Sequence, residues 1–395
     1  MEETHFNLEL IETCYARSLA LLRANSGPDG ILAASPTRRA IGRNYTAIFG
    51  RDAAICALGM VVSGEAELLR AAGRGLITLA VHQAPNGQIA KYVKPETGEA
   101  DFWYTGCIDA TLWWLIAVGF YDRHCSGEGL GVRLGEQVER ALKWLQCQEH
   151  QGYYLLQQNE ASDWADIMPR SGFVLYTNVL WHWVKRLYNI PTARHTRDYA
   201  NLLFNPYGRV VPEQRRLRLL VHYIRNRSKP TPFHLSFVNF AIWGTEIDLF
   251  GNILAPLTGL VPPSRGCKLV RGILALEAHR PYPLRVVGEP IRITEPLWRL
   301  YMHRHRQNLP WQYHNGGIWP FVGGFWVMLL ARLGKKEQAL QELAQLARAN
   351  RINDWEFNEW FHGQTGAPMG MAGQSWNAAM FVLACRTVRD GKRYI

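Results

Sequence analysis

Three carboxylates sit among indole side chains in this chain. Asp163 and Asp166 flank Trp164-Ala165, and Glu359 stands in Asn358-Glu359-Trp360-Phe361-His362-Gly363. Hydrolysis of a glycosidic bond needs one carboxyl group to protonate the leaving oxygen and a second to activate water or attack the sugar. Flanking indoles present apolar faces to the C–H side of a pyranose, so the pairing points to sugar-cleaving chemistry. The same stretches also fit helix-end acids beside core tryptophans.

Other polar residues recur where helices should begin. Gly50-Arg51-Asp52 leads into one apolar run, Asp101-Phe102-Trp103-Tyr104-Thr105-Gly106 precedes Asp109, and Gln312-Tyr313-His314-Asn315-Gly316-Gly317 precedes Ile318-Trp319-Pro320. A helix start exposes backbone N–H groups and can aim an Asp, Asn or His into a shared cavity. Asp52 and Asp109 also fit simple helix caps.

The elements behind these loops are helical. Apolar spacings of three and four predict helices near 7–24, 50–62, 65–82, 108–124, 132–148, 172–189, 195–204, 246–259, 293–305, 318–333, 335–350 and 373–387. Turns such as Ala84-Pro85-Asn86-Gly87 separate them, so helical hairpins in series are expected. Residues 231–243, aromatic and β-branched, read as an extended interruption. No strict repeat favours a short-period solenoid, which leaves a closed ring of hairpins.

Composition narrows the function classes. With 48% hydrophobic and 19% charged residues and no Ser/Gly-rich linker, residues 1–395 are expected to form one helical domain. No signal-like start or long apolar run is evident, so a cytoplasmic protein with no membrane partner is expected. Seven scattered cysteines without a Cys-x-x-Cys pair fit reduced thiols. The net charge of +11 concentrates between Arg209 and Lys229, but apolar residues interleave with those arginines, so a charged face on a packed element is favoured over a nucleic-acid surface. His303 and His305, two apart, fall on different helix faces, and neither a metal nor any other cofactor is expected. Nothing in the sequence determines the oligomeric state.

Together, Asp163 through Gly172, Tyr313 through Pro320, and Asn358 through Gly363 with Gln374-Ser375-Trp376 resemble the six-hairpin glycosidases. The bacterial amylo-α-1,6-glucosidases, the glucosidase domain of glycogen-debranching proteins, look nearest, and the alkaline/neutral invertases next. Phe49 to Asp52, Ile108 to Trp114 and Phe250 to Ala255 support the match in family order. This resemblance implies an all-α (α/α)6 barrel with a short extended insertion, acting without metal by inversion on an oligosaccharide or disaccharide α-glucoside. It implies Asp166 as general acid, with Asp163 as the competing candidate, and Glu359 as the base. Arg51, Asp52, Asp109, Arg170, His314, Asn315 and Gln374 then look like substrate-binding groups, and Trp164, Trp319, Trp355 and Trp376 like stacking walls. Two departures weaken branch-point specificity: Thr245-Glu246-Ile247-Asp248 replaces an expected Gly-Asp-Trp run, and the additional domains of large debranching enzymes are absent from the sequence. Sucrose cleavage is the alternative activity, and a non-catalytic sugar-binding protein the alternative of another class.

Overall fold

A computed structural model describes residues 2–125, 129–208, 210–240 and 242–395. Twelve of the helices among them form six hairpins. Those running Gly50–Val62 (α2), Ile108–His124 (α4), Leu175–Leu187 (α6), Leu249–Leu257 (α8), Pro320–Arg332 (α10) and Ser375–Asp390 (α12) pack in succession, and α12 closes against α2. Glu2–Ala24 (α1), Ala66–Val81 (α3), Gly135–Gln148 (α5), Ala193–Phe204 (α7), Pro263–Ala275 (α9) and Lys336–Trp355 (α11) make the outer ring. The first helix of the chain packs on α12, so the two ends of the sequence complete the sixth pair. This is an (α/α)6 barrel.

Hydrophobic patterning separates the rings. Every residue of α8 is buried, as are Pro320–Leu330 of α10 and Ser375–Cys385 of α12, because these helices have neighbours on all sides. The outer helices bury one stripe only, for example Leu68, Ala72, Leu76 and Leu79 in α3 and Val138, Ala141 and Leu145 in α5. At the closing seam, a Cβ on Gly59 of α2 would lie 2.0 Å from the Ala379 carbonyl oxygen of α12. Only glycine permits that approach.

In four of the hairpins a turn of three to five residues joins the two helices, whereas each return to the next inner helix is far longer. Those returns carry the short strands. Ile48–Phe49, Tyr92–Val93 and Ala100–Asp101 form one antiparallel sheet, and Trp360–Phe361 pairs with Pro368–Met369. All the long connections therefore gather at the end of the barrel where the inner helices begin.

The extended reading of 231–243 holds for Phe237–Asn239 and Ile242–Trp243, which extend a sheet with Gln157–Gln158 and Gly172–Val174. Ala241 lies outside the described residues, as does Arg209. Most of the basic stretch is the amphipathic helix Arg215–Arg227, with Leu217, Val221 and Ile224 buried. One expectation fails. The helix near 293–305 is reduced to Leu300–His305, since Pro296 and the turn before it interrupt the pattern. Helix α9 is not expected from the spacing, because Gly266 and Gly272 dilute its apolar stripe of Leu269, Val270 and Ile273. No helix among the described residues is long and apolar enough to cross a membrane.

Candidate active site

One cavity of about 260 Å³ opens at the end where the inner helices start. Its lining includes Tyr45, Arg51, Asp52, Lys91, Trp103, Trp164, Asp166, Tyr313, His314, Trp319, Glu359 and Trp376. Asp166 and Glu359, far apart in sequence, thus meet in one space. A cavity near the lower end of small-molecule sites, about 300–1,000 Å³, suits a short saccharide better than a polymer.

Glu359 is buried, and both its oxygens are engaged. The Tyr45 hydroxyl donates to Oε1 at 2.7 Å, and the Met371 backbone N–H donates to Oε2 at 2.9 Å. Gly370 makes the second contact possible: its φ is +77°, and a Cβ there would fall 2.4 Å from Oε2. Burial pushes the Glu359 carboxyl up to about 7, although the two donors pull it down. Just upstream, Asn353, Asp354, Trp355 and Phe357 all have positive φ, so the chain twists sharply before delivering Glu359.

Asp166 has a different environment. Its Oδ2 accepts from the Tyr313 hydroxyl at 3.4 Å. Burial raises its carboxyl above the usual aspartate value, while Lys91 and Arg51 pull it down and Asp163 pushes it up. The loop is held by Asn308, whose amide donates to the Asp166 and Ile167 carbonyls at 2.7 and 3.2 Å. Asp163 turns away: Oδ2 accepts from the Gln158 amide and Oδ1 from the Ala165 N–H, each at 2.8 Å. Ile167, directly after Asp166, has a φ of 57°.

The aromatic wall is interlocked. His314 stacks on Trp319 with centroids 4.8 Å apart and meets Trp164 edge-on at 4.7 Å. Burial lowers the His314 pKa well below its ordinary value, so the ring is neutral. Trp376 stacks on Phe321 at 4.1 Å.

Several expected site residues stand behind this lining. Asp109 accepts from the Tyr176 hydroxyl at 3.1 Å and lies 3.5 Å from Arg51, which also pairs with Asp52 at 3.3 Å. Neither Asp52 nor Asp109 caps its helix; the cap positions are Phe49 and Cys107. Arg170 is buried in an ion triad with Glu246 at 3.1 Å and Asp248 at 3.4 Å. The Asn315 side chain is consumed by Ile291 and Asn308 backbone groups. Trp355 packs near Phe357, and Gln374 is fully buried; neither is among the lining residues. Sequence reasoning missed Tyr45, Lys91 and Tyr313 as site groups. Tyr313 adjoins a recognised motif, whereas Tyr45 and Lys91 carry no local signal.

The profile of the alkaline and neutral invertases matches residues 179–390, more than half of the chain. The chain belongs to the alkaline and neutral invertase family. Among similar proteins, alkaline/neutral invertase C, mitochondrial, from Arabidopsis thaliana is 21% identical over 93% of this chain. The chain spans 65% of that relative's length. In fold, the chain is similar to the GH63 mannosylglycerate hydrolase of Thermus thermophilus, with a TM-score of 0.63 and 14% identity over 94% of this chain and 99% of that one. A wild-type glycosidase structure is similar at a TM-score of 0.62 and 14% identity, over 98% of both chains. Family membership thus agrees with the six-hairpin glycosidase resemblance read from the sequence.

Proposed function

We propose that this chain is an inverting hydrolase of a small O-glucoside, with Asp166 as general acid and Glu359 as general base. The observation that carries the reading is the unequal hydrogen bonding of two carboxyls in one cavity. Glu359 accepts on both oxygens, and these donors offset part of the burial that lifts its carboxyl to about 7, so a share of it is ionised at neutral pH and can draw a proton from water. Asp166 has one long contact from Tyr313 and is raised by burial, which suits a group that must hold a proton and then release it to the glycosidic oxygen. Trp164, Trp319 and Trp376 offer apolar faces to the sugar, and Arg51 and Asp52 offer polar partners for hydroxyls.

In this reaction the Asp166 proton moves to the leaving oxygen as the C–O bond breaks. Glu359 takes a proton from the water that attacks from the opposite face, so the anomeric configuration inverts. Inversion requires the two carboxyls to stand about 6.5–9.5 Å apart, with room for that water.

Sucrose is the substrate favoured by the names of the relatives, which are invertases. The α-1,6-glucoside reading draws on the loop resemblance alone and gains no support from those relatives. The deciding experiment incubates the purified chain with sucrose, isomaltose, panose, maltose, trehalose and glucosylglycerate, identifies the released sugars, and follows the first-formed anomer by proton NMR. An inverted anomer is expected. A retained anomer would overturn the mechanism, and binding without turnover of any sugar would revive the non-catalytic alternative.

A further inference from the structure

We propose that the cavity receives a glycoside whose leaving group is an anion, a carboxylate or a phosphate, held by Lys91. This rests on the hydrolase reading above, with Asp166 as the acid. The leaving oxygen must lie against the acid that protonates it, so the groups around Asp166 choose the leaving group. Lys91 lines the same cavity, and its charge favours the ionised form of Asp166.

Its backbone is pinned on both sides: the Gly50 N–H donates to the Lys91 carbonyl at 2.8 Å, and the Lys91 N–H donates to the Asp101 carbonyl at 2.7 Å. The ammonium sits 3.7 Å from the centroid of the Trp103 ring. An indole face satisfies part of a cation and leaves its remaining donors available. Among the described residues no carboxylate forms an ion pair with Lys91.

Among the cavity's cations, the deeper one is already held by carboxylates. Arg51 is shared between Asp52 and Asp109, and Asp101 accepts from the Trp103 N–H at 2.7 Å. Arg43 adds a second positive charge at the exposed rim. A half-buried cation with no carboxylate in ion-pair contact gains far more from an anion than from a sugar hydroxyl. Binding such an anion has a second effect. It cancels the charge that draws the proton from Asp166, so the acid stays protonated to higher pH once substrate is in place.

The test uses matched pairs with the full chain: glucosylglycerate against glucosylglycerol for a carboxylate, and sucrose phosphorylated at O6 of the departing fructosyl unit against sucrose for a phosphate. In one pair the anionic member should have a kcat/KM about tenfold or more above the neutral one. Lys91→Met should collapse that ratio, mainly through KM, and Lys91→Arg should keep most of it. With the anionic substrate, the alkaline limb of the kcat profile should lie at higher pH than with the neutral one, and Lys91→Met should erase the difference. Equal turnover within both pairs overturns the proposal, as does a Lys91→Met variant that weakens both members alike. If even an activated aryl glucoside is not hydrolysed, the hydrolase reading has failed on its own. Calorimetric titration with D-glycerate and with inorganic phosphate then decides the anion site. Binding abolished by Lys91→Met sustains it, and no binding to the wild-type chain overturns it.

Discussion

The Tyr45 hydroxyl reaches Glu359 Oε1 across 2.7 Å, joining the loop before α2 to the loop before α12. This contact orients the carboxylate and favours its charged form. Tyr45→Phe should therefore raise the Glu359 pKa above its present value of about 7. Since kcat/KM for a base depends on the ionised form, the acid limb of the profile should move to higher pH. At neutral pH the loss should be roughly tenfold or more, as expected for a hydrogen bond to a charged group of about 1.5–3 kcal/mol. A pH–rate profile checks this. A uniform loss with an unmoved acid limb would remove Tyr45 from the tuning of Glu359.

Asp166→Asn and Asp163→Asn should separate the two aspartates. Loss of a general acid costs about 10²–10⁴ in rate on a substrate with a poor leaving group and much less on an activated aryl glucoside. Asp166→Asn should follow that pattern, because its carboxyl faces the cavity. Asp163→Asn should weaken both substrates to a similar and smaller degree, because its oxygens only brace the loop through Gln158 and Ala165. If Asp163→Asn abolishes both turnovers while Asp166→Asn spares both, the roles are reversed.

Arg170→Met should be strongly destabilising, by about 3–5 kcal/mol, because it strands Glu246 and Asp248 as buried carboxylates. The penalty should depend on pH. Burial raises the Asp248 carboxyl from 3.8 to about 6, and Arg170 holds it from rising further. A carboxyl raised in the folded state costs stability as pH climbs from its unfolded value through its folded one. Below about 6 Asp248 is protonated and has less need of the guanidinium, so the fall in Tm should be smaller at pH 5 than at pH 8. Thermal melts at both pH values test this, and an equal fall would dismiss the charge argument.

Gly59→Ala should loosen the seam between α2 and α12, where the added Cβ would strike the Ala379 carbonyl. Overpacking of this kind costs about 1–3 kcal/mol. Gly42→Ala, where nothing lies within 4 Å, should change stability by less than about 0.5 kcal/mol. Denaturant melts of the two variants should differ accordingly. Indistinguishable midpoints would mean that the seam yields more easily than its geometry indicates.

Much of the architecture is legible along the chain. Helix periodicity is a local property, so α2, α4, α10 and α12 can be read from their apolar spacing, and the carboxylate-indole stretches mark both ends of the site. Where local signals conflict, reading fails: glycines hide α9, and an apolar pattern broken by Pro296 exaggerates the helix at 300–305.

Sequence by itself determined the candidate carboxylates and indoles and the helices that bear them, because residue type and helix period are written along the chain. Tertiary structure decided which of them meet. Asp163 and Asp166 are three positions apart, yet Asp166 lines the cavity while the Asp163 oxygens are taken by the Gln158 amide and the Ala165 N–H. Tyr45 reaches Glu359 only because α12 closes on α2, and Lys91 comes beside Asp166 only because two long returns end at the same rim. Spacing records rotation about one helix axis; it carries no record of how six hairpins close into a ring, and that closure assembles the site.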